Sequence, residues 1–179
     1  MSFKLAFSRP VLEGKTFNVT HDRAEHPSGV AIDREVVKNS PSAVILPRRD
    51  GHVLLIRQYR LPMRKQLWEI PAGRCDPGEP PLDAAQRELQ EETGYRAGRL
   101  DLLRAFYLSP GILDERMHLF LATDLTAGEA AREEGEEIDN LVTPWDDAVR
   151  MVYDGAIEDA KTIAGLLYYD RLRGQAANT

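Results

Sequence analysis

Between Pro80 and Thr93, Leu82, Ala85 and Leu89 recur at helical spacing while Glu88, Glu91 and Glu92 crowd the same last turns. The spacing predicts a helix with a buried apolar stripe and glutamates on the opposite surface. Pro80 suits its first turn, where a missing N–H costs nothing. Gly94 suits its end, where a left-handed residue is common. Positions i, i+3 and i+4 are neighbours on a helix, so three like charges repel, each close pair costing roughly 0.2–0.5 kcal/mol. They also sit where the helix dipole disfavours anions. A divalent cation removes both conflicts, because carboxylate oxygens are hard ligands and Mg²⁺ shares its shell with phosphates and water. For three glutamates alone, a solvated acidic face is the plainer alternative.

Around that helix the chain reads as short strands. Residues 3–7, 16–20 and 30–37 are strand candidates, with Pro27-Ser28-Gly29 as a turn between the last two. Ala43–Leu46 and Val53–Arg60 flank an Asp50-Gly51 hairpin signal, and Trp68-Glu69-Ile70 precedes a Pro/Gly-rich loop. Strand-like stretches follow at 100–107, 117–122 and 138–142, and two helices, after Thr143 and from Glu158 to Gly174, close the chain. This order predicts an α/β or α+β sandwich of mixed sheets with a small β-rich N-terminal extension, and it lacks the regular alternation of a Rossmann fold. Residues 1–40 are expected as the extension and 41–179 as the main domain.

The net charge of −6 argues against nucleic acid or an anionic membrane as the main partner. It leaves a phosphorylated small molecule open. No apolar run approaches the roughly 20 residues that span a bilayer. Cys75 is the single cysteine, so an internal disulfide is impossible, which suits a reducing cytoplasm. It is expected as a variable loop residue. Trp68 and Tyr59 are expected in the core.

From Gly73 the sequence runs Gly-Arg-Cys-Asp-Pro-Gly-Glu79, seven further residues, then Arg87-Glu-Leu-Gln-Glu-Glu-Thr-Gly-Tyr95. This resembles the Nudix box, G-x5-E-x7-R-E-U-x-E-E-x-G-U, with each fixed letter at its offset and Tyr95 at the final bulky position. The resemblance implies an α/β/α sandwich and hydrolysis of the pyrophosphate of a nucleoside diphosphate derivative with Mg²⁺, Mn²⁺ being the substitute. Carried over residue by residue, it makes Glu88, Glu91, Glu92 and the Ala72 carbonyl metal ligands, and Glu91 and Glu92 also catalytic. Arg87 would orient a box carboxylate such as Glu79. Gly73 and Gly78 would be turn residues near the metal.

Other segments bear on the substrate. Ser109-Pro110-Gly111, Trp68–Gly73 and Arg57-Gln-Tyr-Arg60 are similar to the ADP-ribose pyrophosphatase subfamily, which implies ADP-ribose as substrate, AMP and ribose 5-phosphate as products, and a homodimer joined through the N-terminal strands. Ser-Pro-Gly is equally a plain turn. The subfamily's general base aligns best with Glu136, also a metal-ligand candidate, with Glu134 as the alternative. Arg60 is a candidate for a substrate phosphate and Glu115 for a ribose hydroxyl. Arg34 and Glu35 could reach across the dimer. Each of these substrate residues has an ordinary salt-bridge reading beside it. Another nucleotide sugar such as GDP-mannose, a diadenosine polyphosphate, or a non-catalytic metabolite-binding domain are the alternative functions.

Overall fold

The computed structural model describes residues 2–131 and 137–176. Three strands at the N-terminus, β1 (Lys4–Glu13), β2 (Asn18–Glu25) and β3 (Ala31–Lys38), form an antiparallel sheet in the order β1-β2-β3. β1 runs well past the expected Phe7 and includes Pro10. Proline lacks a ladder donor, and it is accommodated because β1 is an edge strand whose pairing slips between Pro10 and Leu12. His26 and Gly29 close the expected turn, with the Gly29 amide donating to the His26 carbonyl at 2.9 Å.

The main sheet is built on β4 (Ser42–Arg49) and β5 (His52–Arg60), joined by a tight turn at Asp50-Gly51, both with positive φ. β6 (Lys65–Glu69) pairs with β5, and β7 (Ala72–Arg74) pairs with the start of β4. After helix α1 (Pro81–Thr93) come β8 (Tyr95–Tyr107), β9 (Arg116–Ala127) and β10 (Ile138–Pro144), then helices α2 (Trp145–Tyr153) and α3 (Ala160–Ala176). The strand path is β10-β5-β4-β9-β8, and its β4–β9 pair is parallel while the other pairs are antiparallel. This is the expected mixed α+β architecture.

Side chains alternate across a strand, and β4 shows what that achieves here. Ala43 and Ile45 pack with Ala84, Ala85 and Leu89 of α1. Val44 and Leu46 pack on the other face with Trp145 and Ala148 of α2 and Leu166 of α3. One strand thus serves two cores, and the sheet is covered by helix on both sides.

Three expectations about burial are corrected. Leu82 is 48% exposed, and Ala84 takes its place in the stripe with Ala85 and Leu89. Glu92 is buried rather than opposite the stripe, since it lies two turns after Ala85 and returns to the same face. Tyr59 is exposed, because the inward residues at that end of β5 are Ile56 and Gln58. Trp68 is partly buried against the α2/α3-side core, with the Arg57 guanidinium over its ring. Cys75 lies in the loop after β7, as expected, and is buried there beside Ala84, Ala85 and Leu89, its amide donating to the Pro41 carbonyl at 2.8 Å.

Candidate active site

Helix α1 ends at Gly94, whose φ of 80° is the left-handed conformation and whose amide donates to the Gln90 carbonyl at 2.8 Å. The cap fixes where the last turns stop, and those turns carry Glu88, Glu91 and Glu92 against the short strand β7. The Ala72 amide donates to Glu92 Oε2 at 3.0 Å. Gly73 lies in β7 rather than in a turn, with the Glu88 carboxyl group packed where its side chain would be. A β carbon on residue 73 would fall 2.0 Å from Glu88 Cδ. Gly78, at φ 82°, is the turn residue of the loop into α1.

Arg87 organises the remaining carboxylates. Its Nε and Nη2 donate to the two oxygens of Glu79, each at 2.9 Å. Its Nη1 donates to Glu88 at 2.7 Å and to Glu91 at 2.9 Å, and Nη2 also donates to the Arg74 carbonyl at 3.0 Å. Glu79 further accepts the Asp76 amide at 2.8 Å. The Arg87 hydrogen bonds hold the Glu79 carboxyl below its usual range. One guanidinium therefore ties the loop, β7 and three carboxylates together.

Ala72, Gly73, Arg87, Glu88, Glu91 and Glu92 line a cleft of about 840 Å³. Ser42, Gln58, Arg60, Glu69, Glu115, Asp159 and Lys161 line it as well. Glu115 is buried and accepts a hydrogen bond from the Ser42 hydroxyl. Arg60 forks onto Glu69, Nε to Oε1 at 2.7 Å and Nη2 to Oε2 at 2.6 Å. The ordinary salt bridge is thus real for Arg60, and it coexists with a place on the cleft. Arg34 and Glu35 do not line the cleft within one chain: Arg34 donates to the Asp33 carbonyl and Glu35 pairs with His21. Glu134 and Glu136 lie outside the described residues. Val37 joins the loop after Ser109-Pro110-Gly111 through its amide and carbonyl, so the turn also anchors the N-terminal sheet.

Sequence reasoning missed Glu69, Asp159 and Lys161. Glu69 is 1% exposed and receives Lys161 Nζ in addition to Arg60. Burial alone would raise its pKa, but the two cations outweigh that and hold it below the usual range. The signal available was a single charge inside each of two apolar runs, Leu-Trp-Glu69-Ile-Pro and Ala-Lys161-Thr-Ile-Ala.

The donor set around β7 fits a hard divalent ion. Glu79, Glu88, Glu91 and Glu92 set four carboxylates against the one guanidinium of Arg87, and the space left by Gly73 admits the Glu88 carboxyl group to the backbone of β7. The carboxylates are turned to protein partners as they stand, and among the described residues no three His, Cys, Asp or Glu side chains are grouped so as to hold a metal ion. Glu88 and Glu91 each direct an oxygen to Arg87, and Glu92 directs one to the Ala72 amide.

The NUDIX domain family model matches residues 38–166, which contain the loop, the helix and the cleft residues named above. This chain belongs to the Nudix family. The ADP-ribose pyrophosphatase of Bacillus subtilis (strain 168) is 38% identical over 161 residues, covering 88% of this chain and 87% of that protein. The methanol dehydrogenase activator of Bacillus methanolicus is 35% identical over 161 residues, with the same shares covered. The crystal structure of an ADP compounds hydrolase matches with a TM-score of 0.85 at 26% identity, covering 98% of this chain and 96% of that one. The chain is a Nudix pyrophosphohydrolase acting on nucleoside diphosphate derivatives, and Nudix hydrolases use a divalent metal.

Proposed function

We propose that this Nudix enzyme hydrolyses ADP-ribose to AMP and ribose 5-phosphate with Mg²⁺, Mn²⁺ being able to substitute. The observation that carries the reading is the make-up of one cleft, where the Arg87-organised glutamates and the Glu69-held Arg60 share the same space. A pyrophosphate needs both an ion and a fixed cation, and a nucleoside needs the room beyond them. The ADP-ribose choice draws its support from the name of the Bacillus subtilis relative.

Glu88, Glu91, Glu92 and the Ala72 carbonyl would hold the ion. The chemistry a divalent ion supplies there is neutralisation of phosphate charge and acidification of a bound water. Arg87 holds the Glu88 and Glu91 carboxylates beside each other through its Nη1. Arg60 offers its remaining N–H groups to a phosphate oxygen, its plane set by Glu69. Glu115 accepts a ribose hydroxyl. Glu136, with Glu134 as alternative, takes the proton of the attacking water. The enzyme acts as a cytoplasmic homodimer. Phe3, Leu5, Phe7, Val11 and Leu12 are exposed apolar residues of the N-terminal sheet that a second copy would cover in part, bringing Arg34 and Glu35 to the partner's cleft.

The test is AMP release from ADP-ribose with Mg²⁺, with and without EDTA, beside GDP-mannose and a diadenosine polyphosphate. Metal-dependent release strongest from ADP-ribose supports the proposal. Turnover of another substrate alone keeps the family chemistry and removes the ADP-ribose assignment. Silence on all three favours a binding role or a substrate outside the three; one relative, from Bacillus methanolicus, is named as an activator of methanol dehydrogenase.

A further inference from the structure

The cleft holds a second charged cluster, separate from the Arg87 carboxylates, that joins distant parts of the chain. Glu69 at the end of β6 accepts both arms of Arg60 from β5 and the ammonium of Lys161 from the first turn of α3. Lys161 Nζ also lies 3.0 Å from Asp159 Oδ2. Beside it, the Ile70 amide donates to Thr162 Oγ1 at 2.9 Å, and the Thr162 amide donates to Asp159 at 2.9 Å. Lys161 and Glu69 are nearly inaccessible, with side chains 8% and 1% exposed, whereas Arg60 is 36% exposed.

Burying charges is costly unless each is paired. A structural brace between α3 and the segment joining β6 to β7 would need only the Ile70–Thr162 bond, which is neutral and already spans it. The ionic part adds something else. A carboxylate held by two cations from different directions has a fixed plane, and a forked guanidinium takes that plane from it. Arg60 and Glu92 line the same cleft, so the guanidinium shares its space with the box carboxylates. Among the described residues, Glu69 is the only hydrogen-bond partner of the Arg60 side chain, and it uses Nε and Nη2, leaving Nη1 for another acceptor.

We propose that Lys161 is a positioning residue for substrate binding: through Glu69 it fixes the Arg60 guanidinium so that its unused edge meets a phosphate oxygen of the substrate. Lys161 itself touches no substrate. The inference rests on the pyrophosphate-hydrolase reading above. It adds that α3, which carries no Nudix-box residue, sets affinity for the diphosphate.

The experiment is a double-mutant cycle of Lys161→Met and Arg60→Ala in the full chain, with kcat and KM for ADP-ribose, Mn²⁺ affinity, and Tm measured for each protein. Lys161→Met should raise KM about tenfold, the size of one lost charge-assisted bond, with kcat and Mn²⁺ affinity within about twofold of wild type. In the Arg60→Ala background the same substitution should have no further effect on KM. Glu69→Gln, which keeps the volume, should reproduce the KM rise if Lys161→Met fails to fold. The dissociation constant of inorganic pyrophosphate with Mg²⁺ gives a reading that needs no turnover. If wild type ignores ADP-ribose yet Lys161→Met weakens pyrophosphate binding, the substrate assignment falls and this inference stands. Unchanged KM and pyrophosphate affinity in folded Lys161→Met, or full additivity with Arg60→Ala, overturns it.

Discussion

Gly73 and Glu88 meet without room for a β carbon: a methyl group on residue 73 would stand 2.0 Å from the Glu88 carboxyl carbon. The clash is with the end of a flexible side chain, so Glu88 can swing away and the fold survives. What is lost is the position of the carboxylate. Gly73→Ala should therefore change stability by about 1 kcal/mol or less, no more than a typical point substitution, while Mn²⁺ affinity and turnover fall by about tenfold to a hundredfold, as when a ligand is misoriented. Thermal unfolding and Mn²⁺ titration separate the two. A variant with native metal affinity would show that the Glu88 position does not matter.

Glu92 is buried and accepts the Ala72 amide. Glu92→Gln keeps an oxygen for that bond and removes only the charge. The circular dichroism spectrum should be unchanged while Mg²⁺-dependent turnover drops by about a hundredfold or more. Near-native turnover would remove Glu92 from the metal site.

Arg87 is the counter-ion of Glu79, Glu88 and Glu91. Arg87→Met should destabilise the metal-free protein by about 1–3 kcal/mol, because three clustered carboxylates lose their partner. Saturating Mg²⁺ should recover part of the loss. The pH dependence has a definite sign. Glu79 has a lowered folded-state pKa, so its pairing stabilises the fold above the ordinary carboxyl value of 4.5 and that stability is lost as pH falls through the lowered value. The Tm difference between wild type and Arg87→Met should narrow as the pH is taken from about 6 to about 3. A constant difference would mean that Arg87 stabilises through packing alone.

Burial pushes the Cys75 thiol above its usual pKa. It should resist a disulfide reagent in the native protein at pH about 8 and react at once when unfolded. Rapid native labelling would show that the loop before α1 opens.

Much of the site could be read from short-range order. A helix repeats every 3.6 residues, so the sequence alone places Glu88, Glu91 and Glu92 within one turn of each other, and Gly94 marks where that turn stops. Arg87 reaching back to Glu79 is also a local matter, since both belong to one loop-and-helix segment. The buried stripe was harder. Periodicity names a face but not how wide the neighbouring strand is, and β4 with β9 covers Ala84 while leaving Leu82 outside.

The sequence determined the box, its helix and the family, because those depend on spacing within some twenty residues. Tertiary structure alone decided what each charge meets. Lys161 reaches Glu69 across ninety-two positions, and Glu115 reaches Ser42 across seventy-three. Such pairs follow from the parallel register of β4 on β9 and from where α3 docks, and no local period encodes either. The same holds for Arg60. Its sequence context offers a cation to a phosphate, but only the folded chain supplies the buried carboxylate that sets the direction in which that cation points.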